Sequence, residues 1–145
     1  MRRVMGVLAL GVLLFSQDVM AADLPGALVD PYLQVHAALA TDQFGSIAPH
    51  AKAMETAAAA LGQDAEKIAA GAKKLSAASD IAAARIAFGE ISSALTAYAE
   101  ATKSTFGKDV RLAYCPMVNK PWLQSDKEIR NPYYGAAMLT CGSFK

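Results

Sequence analysis

From Tyr32 onward, apolar residues recur every three or four positions, the spacing that lines one face of an α-helix. Tyr32, Val35, His36 and Leu39 form the first stripe. Asp30 is placed as its N-cap and Pro31 at the first helical position, and this helix should end between Asp42 and Gly45. Ile47, Ala51, Met54, Ala58 and Leu61 form a second stripe, starting around Ser46 and stopped by Gly62. Ala65, Ile68, Ala72 and Leu75 keep the same rhythm through Gly71, a residue that costs about 1 kcal/mol relative to alanine inside a helix. This run is either a separate helix or a continuation of the second. Ser76 to Asp80 is a polar break in which Ser79 or Asp80 can cap the next helix. Then Ile81, Ala84, Phe88, Ile91, Leu95, Tyr98 and Thr102 hold steps of three and four without a slip, predicting a helix to about Thr105 that ends at Gly107.

No stretch before Val110 alternates with period two, and only Val110 to Tyr114 has a strand-like look. The expected fold class is therefore all-α: an up-and-down bundle of about four helices, with alanine letting the axes approach and Phe88, Ile91, Leu95 and Tyr98 supplying most of the buried area. A C-terminal tail from about residue 106 to residue 145 should lie across the bundle with short helical turns of its own. Trp122, Tyr133, Tyr134 and Leu139 should be buried beneath it.

The pattern before the first helix belongs to something else. Arg2 and Arg3 form a basic n-region, Val4 to Phe15 is an apolar run, and Val19-Met20-Ala21 offers small residues for cleavage. Residues 1–21 are expected to be a signal peptide, too short for a membrane anchor. Residues 22–145 then form one exported, periplasmic domain with no membrane insertion after cleavage. The chain has 14 Lys and Arg against 13 Asp and Glu, and losing Arg2, Arg3 and Asp18 leaves the remainder balanced. Nucleic acid, which calls for a clear basic excess, is not an expected partner.

Chemistry concentrates in the tail, which holds both cysteines and the only tryptophan. Two sulfur pairs stand there in mirror order, Cys115-Pro-Met117 and Met138-Leu-Thr-Cys141. Cys115 precedes a proline, which favours extended backbone, so Cys115 and Met117 should project to one side. Met138 and Cys141 share a face if Ala136 to Cys141 forms a helical turn. Asn131-Pro-Tyr-Tyr-Gly135 between the pairs is suited to turning the chain back, so the pairs can meet. In an oxidising compartment, two cysteines 26 positions apart are also a disulfide candidate, whose loop closure would contribute about 3–4 kcal/mol.

Tyr114-Cys-Pro-Met117, Trp122-Leu-Gln124, Lys127-Glu-Ile-Arg-Asn-Pro-Tyr-Tyr-Gly135 and Ala137-Met-Leu-Thr-Cys-Gly142 resemble a bacterial family named domain of unknown function 3347. Arg85, Phe88, Ile91 and Ser92, with Tyr32 to Leu39, resemble its helical part. That family occurs as stand-alone exported proteins and as a module on periplasmic adaptor subunits of Cus-type heavy-metal efflux pumps. The resemblance implies a helical bundle binding a soft metal in the periplasm: copper, or silver or zinc. It implies Cys115, Met117, Met138 and Cys141 as ligands, and a periplasmic efflux adaptor as partner. Thiolate and thioether donors select Cu(I) over harder ions.

Each of these residues also has a structural reading. Methionine beside cysteine is commonly core filling. His36, on the apolar stripe, is either a hydrogen-bonded core residue or an additional ligand, and His50 is a weaker candidate; both would suit Cu(II) or zinc better. Trp122, Tyr133 and Tyr134 are expected to pack on the bundle rather than form a partner platform. No phosphate loop, redox Cys-x-x-Cys, zinc-protease helix or nucleophile elbow is present. Glu90 and Glu100 stand too far apart along a helix to act as an acid–base pair, so no enzymatic activity is expected. The sequence thus supports a copper-binding chaperone, buffer or efflux accessory, against an interaction module whose tail is pinned by a Cys115–Cys141 disulfide.

Overall fold

The structure, a computed structural model, describes residues 21–145; the expected signal peptide falls outside them except for Ala21. Four helices come first: α1 (Gly26–Ala40), α2 (Ile47–Ala60), α3 (Glu66–Ser76) and α4 (Ile81–Thr102). α1 packs on α2, α2 on α3 and α3 on α4. Among the described residues, no helix is long and apolar enough to cross a membrane.

The stripes fall where the periodicity puts them. Tyr32, Val35, His36 and Leu39 are buried on α1, and Ile47, Ala51, Met54 and Ala58 on α2. Ala65, Ile68, Ala72 and Leu75 are buried on or just before α3, and Ala84, Phe88, Ile91 and Leu95 on α4. The third run is a helix of its own, since Gly62, at φ 84°, breaks the chain before it. Gly71 serves close packing. A Cβ there would stand 2.7 Å from Cγ1 of Ile91, so the glycine lets α3 settle onto α4. Asp80, in extended backbone, accepts a hydrogen bond from the Ala83 amide at 2.8 Å and caps α4.

Two expectations are corrected. α1 begins at Gly26, so Pro31 lies inside it and Asp30 is not the cap. The first-turn amides of Leu28 and Val29 bond to the Pro25 carbonyl, and burial of Leu28 and Val29 extends the apolar face upstream. Pro31 forfeits a single intrahelical bond near the start of the helix, which that burial offsets.

The fold is mostly helical rather than all-α. The tail forms a small antiparallel sheet of β1 (Arg111–Cys115), β2 (Lys120–Gln124) and β3 (Ser143–Phe144), in the order β2-β1-β3. Tyr114 pairs with Pro121 on one side and with Ser143 on the other. Pro121 is tolerated because β2 is an edge strand. β2 lies against α4 and α1, burying Trp122 and Leu123. An aromatic cluster joins the tail to the helices: Tyr32 stacks on Phe88 at 4.8 Å between ring centroids, and Tyr133 reaches Phe88 at 6.1 Å and Trp122 at 6.0 Å. Tyr133 and Trp122 are buried as expected, while Tyr134 and Leu139 are only half-buried.

Candidate functional site

The tail is held by hydrogen bonds between buried polar side chains. Asn131 is the hub. Its Nδ2 donates to the Cys141 carbonyl at 2.7 Å and to Cys115 Sγ at 3.3 Å, and its Oδ1 accepts from the Tyr133 amide at 2.8 Å. Its backbone N–H bonds to the Leu139 carbonyl and its carbonyl accepts from Gly135 N–H. The Asn131–Gly135 stretch therefore does turn the chain back, through an Asx-type turn.

Gln124 does the same work beside it. Its Oε1 accepts from Trp122 Nε1 at 2.8 Å and from the Arg130 amide at 3.1 Å, and its Nε2 donates to the carbonyls of Asp126 and Glu128. From the helices, the Tyr32 hydroxyl accepts from the Leu123 amide at 3.1 Å and lies 2.6 Å from Ser92 Oγ, which donates to the Phe88 carbonyl. Burial pushes the Tyr32 phenol upward, so it stays protonated as a donor.

Arg85 gives Nε to the Pro132 carbonyl at 2.9 Å and Nη2 to the Leu39 carbonyl and to Asp42. The other Asp42 oxygen accepts from the Ala136 amide. The Arg85 hydrogen bond is the main reason the Asp42 carboxyl lies below its usual range. Gly135, at φ 55°, completes the contact, since a Cβ there would stand 2.2 Å from Asp42 Oδ1.

His36 belongs to this set. It is buried and its Nε2 lies 2.8 Å from the Arg130 carbonyl, which obliges the ring nitrogen to donate. Burial holds the imidazole below its ordinary value, with the Arg130 carbonyl opposing. Nε2 is thus committed to the tail backbone. His50 lies apart, half-buried in a cleft with Asp126 and Arg130.

The four sulfur residues lie in two short segments, one at the end of β1 and one leading into β3. Cys115 closes β1, and Met117 sits in the turn between β1 and β2. The β1–β3 pairing ends at Tyr114–Ser143, one residue before Cys115 and two after Cys141. Cys141 in turn bonds its amide to the Met138 carbonyl at 3.1 Å. Gly142, at φ 134°, is needed here: a Cβ would come within 2.6 Å of the Trp122 ring and 2.9 Å of the Tyr114 carbonyl.

The side chains differ in access. Cys115 is 0% exposed, Cys141 half-buried, Met138 38% exposed and Met117 57% exposed. Cys115 and Met117 do not share a face as extended chain would give, because β1 stops at Cys115 and the chain turns at once. Met138 follows a 3-10 turn (Gly135–Ala137) at φ −147°, so Met138 and Cys141 are joined by a tight turn rather than by an α-helical one. Both cysteines are free thiols. Thiols and thioethers are the donors suited to soft metals, and the Asn131 amide donating to the Cys115 sulfur is of a kind that tunes metal-bound thiolates. Among the described residues, no three His, Cys, Asp or Glu side chains group as metal ligands. A metal here would draw on the thioethers.

Asn131, Gln124 and the Arg85–Asp42 pair were not legible as site-building residues from the pattern. The one usable signal was Asn131 before a proline in a turn-forming run.

A family model described as a protein of unknown function (DUF3347) matches residues 28–107. The match covers all four helices apart from the first two residues of α1 and ends before β1. No curated protein and no solved structure matches the chain.

Proposed function

We propose, for a chain that belongs to the DUF3347 family of proteins of unknown function, that it is a soft-metal carrier or buffer. It acts in the periplasm after export, with Cu(I) as cargo and a heavy-metal efflux adaptor as the recipient or host. The observation that supports the reading is that one Asn131 side chain bonds both the Cys115 sulfur and the Cys141 backbone carbonyl, while Met117 and Met138 are exposed.

Met117 and Met138 are the exposed donors from which coordination starts, with the half-buried Cys141 following. Cys115 joins from below, keeping or giving up its bond from Asn131. The thioethers favour the monovalent ion over zinc or Cu(II). Exposure of two of the four sulfurs allows release by ligand exchange with another protein's sulfur ligands. His36 has no part in this, because its Nε2 braces α1 against the tail.

The test is titration of the reduced protein with Cu(I) against a competing chelator. Stoichiometric binding that disappears in Cys115→Ser/Cys141→Ser is the expected result, and a reduced wild type that takes no copper removes the proposal.

A second reading has its own observation. The tail is fixed to the helices by hydrogen bonds from Arg85, His36 and Tyr32 and braced within itself by Asn131 and Gln124, as an interaction module would need. The free thiols of Cys115 and Cys141 would then form a disulfide on export. Thiol counting on protein purified from the periplasm separates the two: no free thiols favours the module, two favour the carrier.

A further inference from the structure

One side of α4 is left uncovered, and it is furrowed. A cavity of about 520 Å³ opens between α4 and the tail, bounded by Ile86, Gly89, Val118, Tyr133 and Tyr134. A second, of about 440 Å³, opens between α3 and α4 over Ser93, Ala94 and Ala97. The two share Glu90 and Lys120, and their combined lining, here called the furrow, follows α4 from Ala82 to Ala97. At a helical rise of about 1.5 Å per residue that is about 22 Å, or roughly four turns. Gly89 keeps its floor open; a Cβ there would meet Tyr133 at 3.3 Å and the Lys120 stem at 3.5 Å. Ile86, 69% exposed, stands on its edge with nothing over it.

The unpaired charges along the furrow are of one sign. Lys67, Lys74 and Lys120 line it, and the one acid, Glu90, is bonded to Lys74 at 2.9 Å. Lys67 and Lys120 make no ion pair among the described residues. An apolar furrow of helical length with a cationic rim is complementary to an amphipathic helix whose apolar stripe is flanked by acids.

We infer that this furrow docks an acidic amphipathic helix of a partner protein. Other occupants match it less well. Residues 1–20 carry Arg2 and Arg3 against the single acid Asp18, so their charge opposes the rim. A second copy paired about a two-fold axis would bring the three lysines against their own counterparts. A bilayer surface cannot enter a concave furrow. The docked helix lies next to Val118, which follows the exposed Met117 in the β1–β2 turn, so it brings the partner beside Met117. Transfer of metal there, though not the docking itself, rests on the soft-metal reading above.

The experiment uses a fluorescent 18-residue peptide with leucines at helical spacing and flanking glutamates, and a twin with lysines in their place. Each is titrated by anisotropy into the reduced, metal-free protein at low salt. The glutamate peptide should bind at least tenfold more tightly than the lysine peptide. Ile86→Asp should weaken binding at least tenfold without shifting the melting temperature, since Ile86 is exposed. Lys67→Glu/Lys120→Glu should narrow or invert the preference. Binding should survive in Cys115→Ser/Cys141→Ser. Equal affinity for the two peptides overturns the inference, as does an unaffected Ile86→Asp variant. So does a dimer in sedimentation that Ile86→Asp dissolves, tighter binding of a peptide of residues 1–20, or Ile86-dependent binding to phosphatidylglycerol vesicles. Peptide binding without copper binding would retain the docking and remove the metal carrier, and copper binding without peptide binding would do the reverse.

Discussion

The helices and the tail bury their residues by different physics. In α2 and α3 every buried residue is apolar, and position in the 3.6-residue stripe decides which side chain goes inside. In the tail, five-residue and two-residue strands carry too little apolar surface to hold themselves, and polar side chains complete the attachment. The buried polar residues are His36, Ser92, Gln124 and Asn131. Each belongs to the tail or to the chain of bonds that reaches it. A pattern-driven region tolerates exchange among apolar residues of similar volume, whereas a polar junction requires particular atoms at particular places, because each unpaired buried group costs about 1–3 kcal/mol.

The sharpest way to break this contrast is at the residue that serves both regions. Phe88 is fully buried on α4 and touches both Tyr32 and Tyr133, so Phe88→Ala should cost about 3–5 kcal/mol. Chemical denaturation should show helix and tail unfolding together. Asn131→Leu should cost less, about 2–4 kcal/mol, by stranding the Cys141 carbonyl and the Tyr133 amide. Its effect should be local: hydrogen exchange should accelerate in β1 and β3 while α2 and α3 stay protected. Uniform acceleration would mean that the tail is not a separable layer. Gly135→Ala should cost about 1–3 kcal/mol through its positive φ and the clash with Asp42, again confined to the tail.

A smaller effect should come from pH. His36 is held neutral by burial, so its folded value lies below the unfolded value of about 6.5. The unfolded chain therefore takes up the proton first, and stability should fall as pH drops through that value. His36→Gln, which keeps a donor, should flatten the melting temperature between pH 7 and pH 5 relative to wild type. The least effect on folding belongs to Met117→Leu, expected to change stability by less than about 0.5 kcal/mol because the side chain is exposed. Its copper affinity should nonetheless drop, which separates a ligand from a packing residue.

How far the fold could be read from sequence follows the same division. Four helical stripes were legible in their central turns, since apolar spacing is a direct image of burial in a helix. At their ends Leu61, Ile81 and Tyr98 are only half-buried, Thr102 is exposed, and α4 stops at Thr102 rather than near Thr105. The start of α1 was not, because Pro31 reads as a first-turn residue while Leu28 and Val29 decide the matter by being buried. The strand-like run Val110–Tyr114 corresponds closely to β1. β2 was hidden by its own proline and by burial of Trp122, Leu123 and Gln124 in succession, which gives no alternation, and β3 is too short to carry a pattern. At the sulfur site, the turn at Asn131–Gly135 and the return of Cys141 toward Cys115 were readable from turn chemistry. The burial of Cys115 against the exposure of Met117 was not, since it depends on where β1 stops.

On the proposed function, the four sulfurs act together on one soft ion. X-ray absorption at the copper K-edge of the Cu(I)-loaded protein tests that without intermediaries. The expected result is a first shell of three or four sulfurs and no nitrogen or oxygen, reduced by at least one sulfur in Met138→Leu. A shell containing nitrogen or oxygen, or a sulfur count indifferent to Met138, would contradict it.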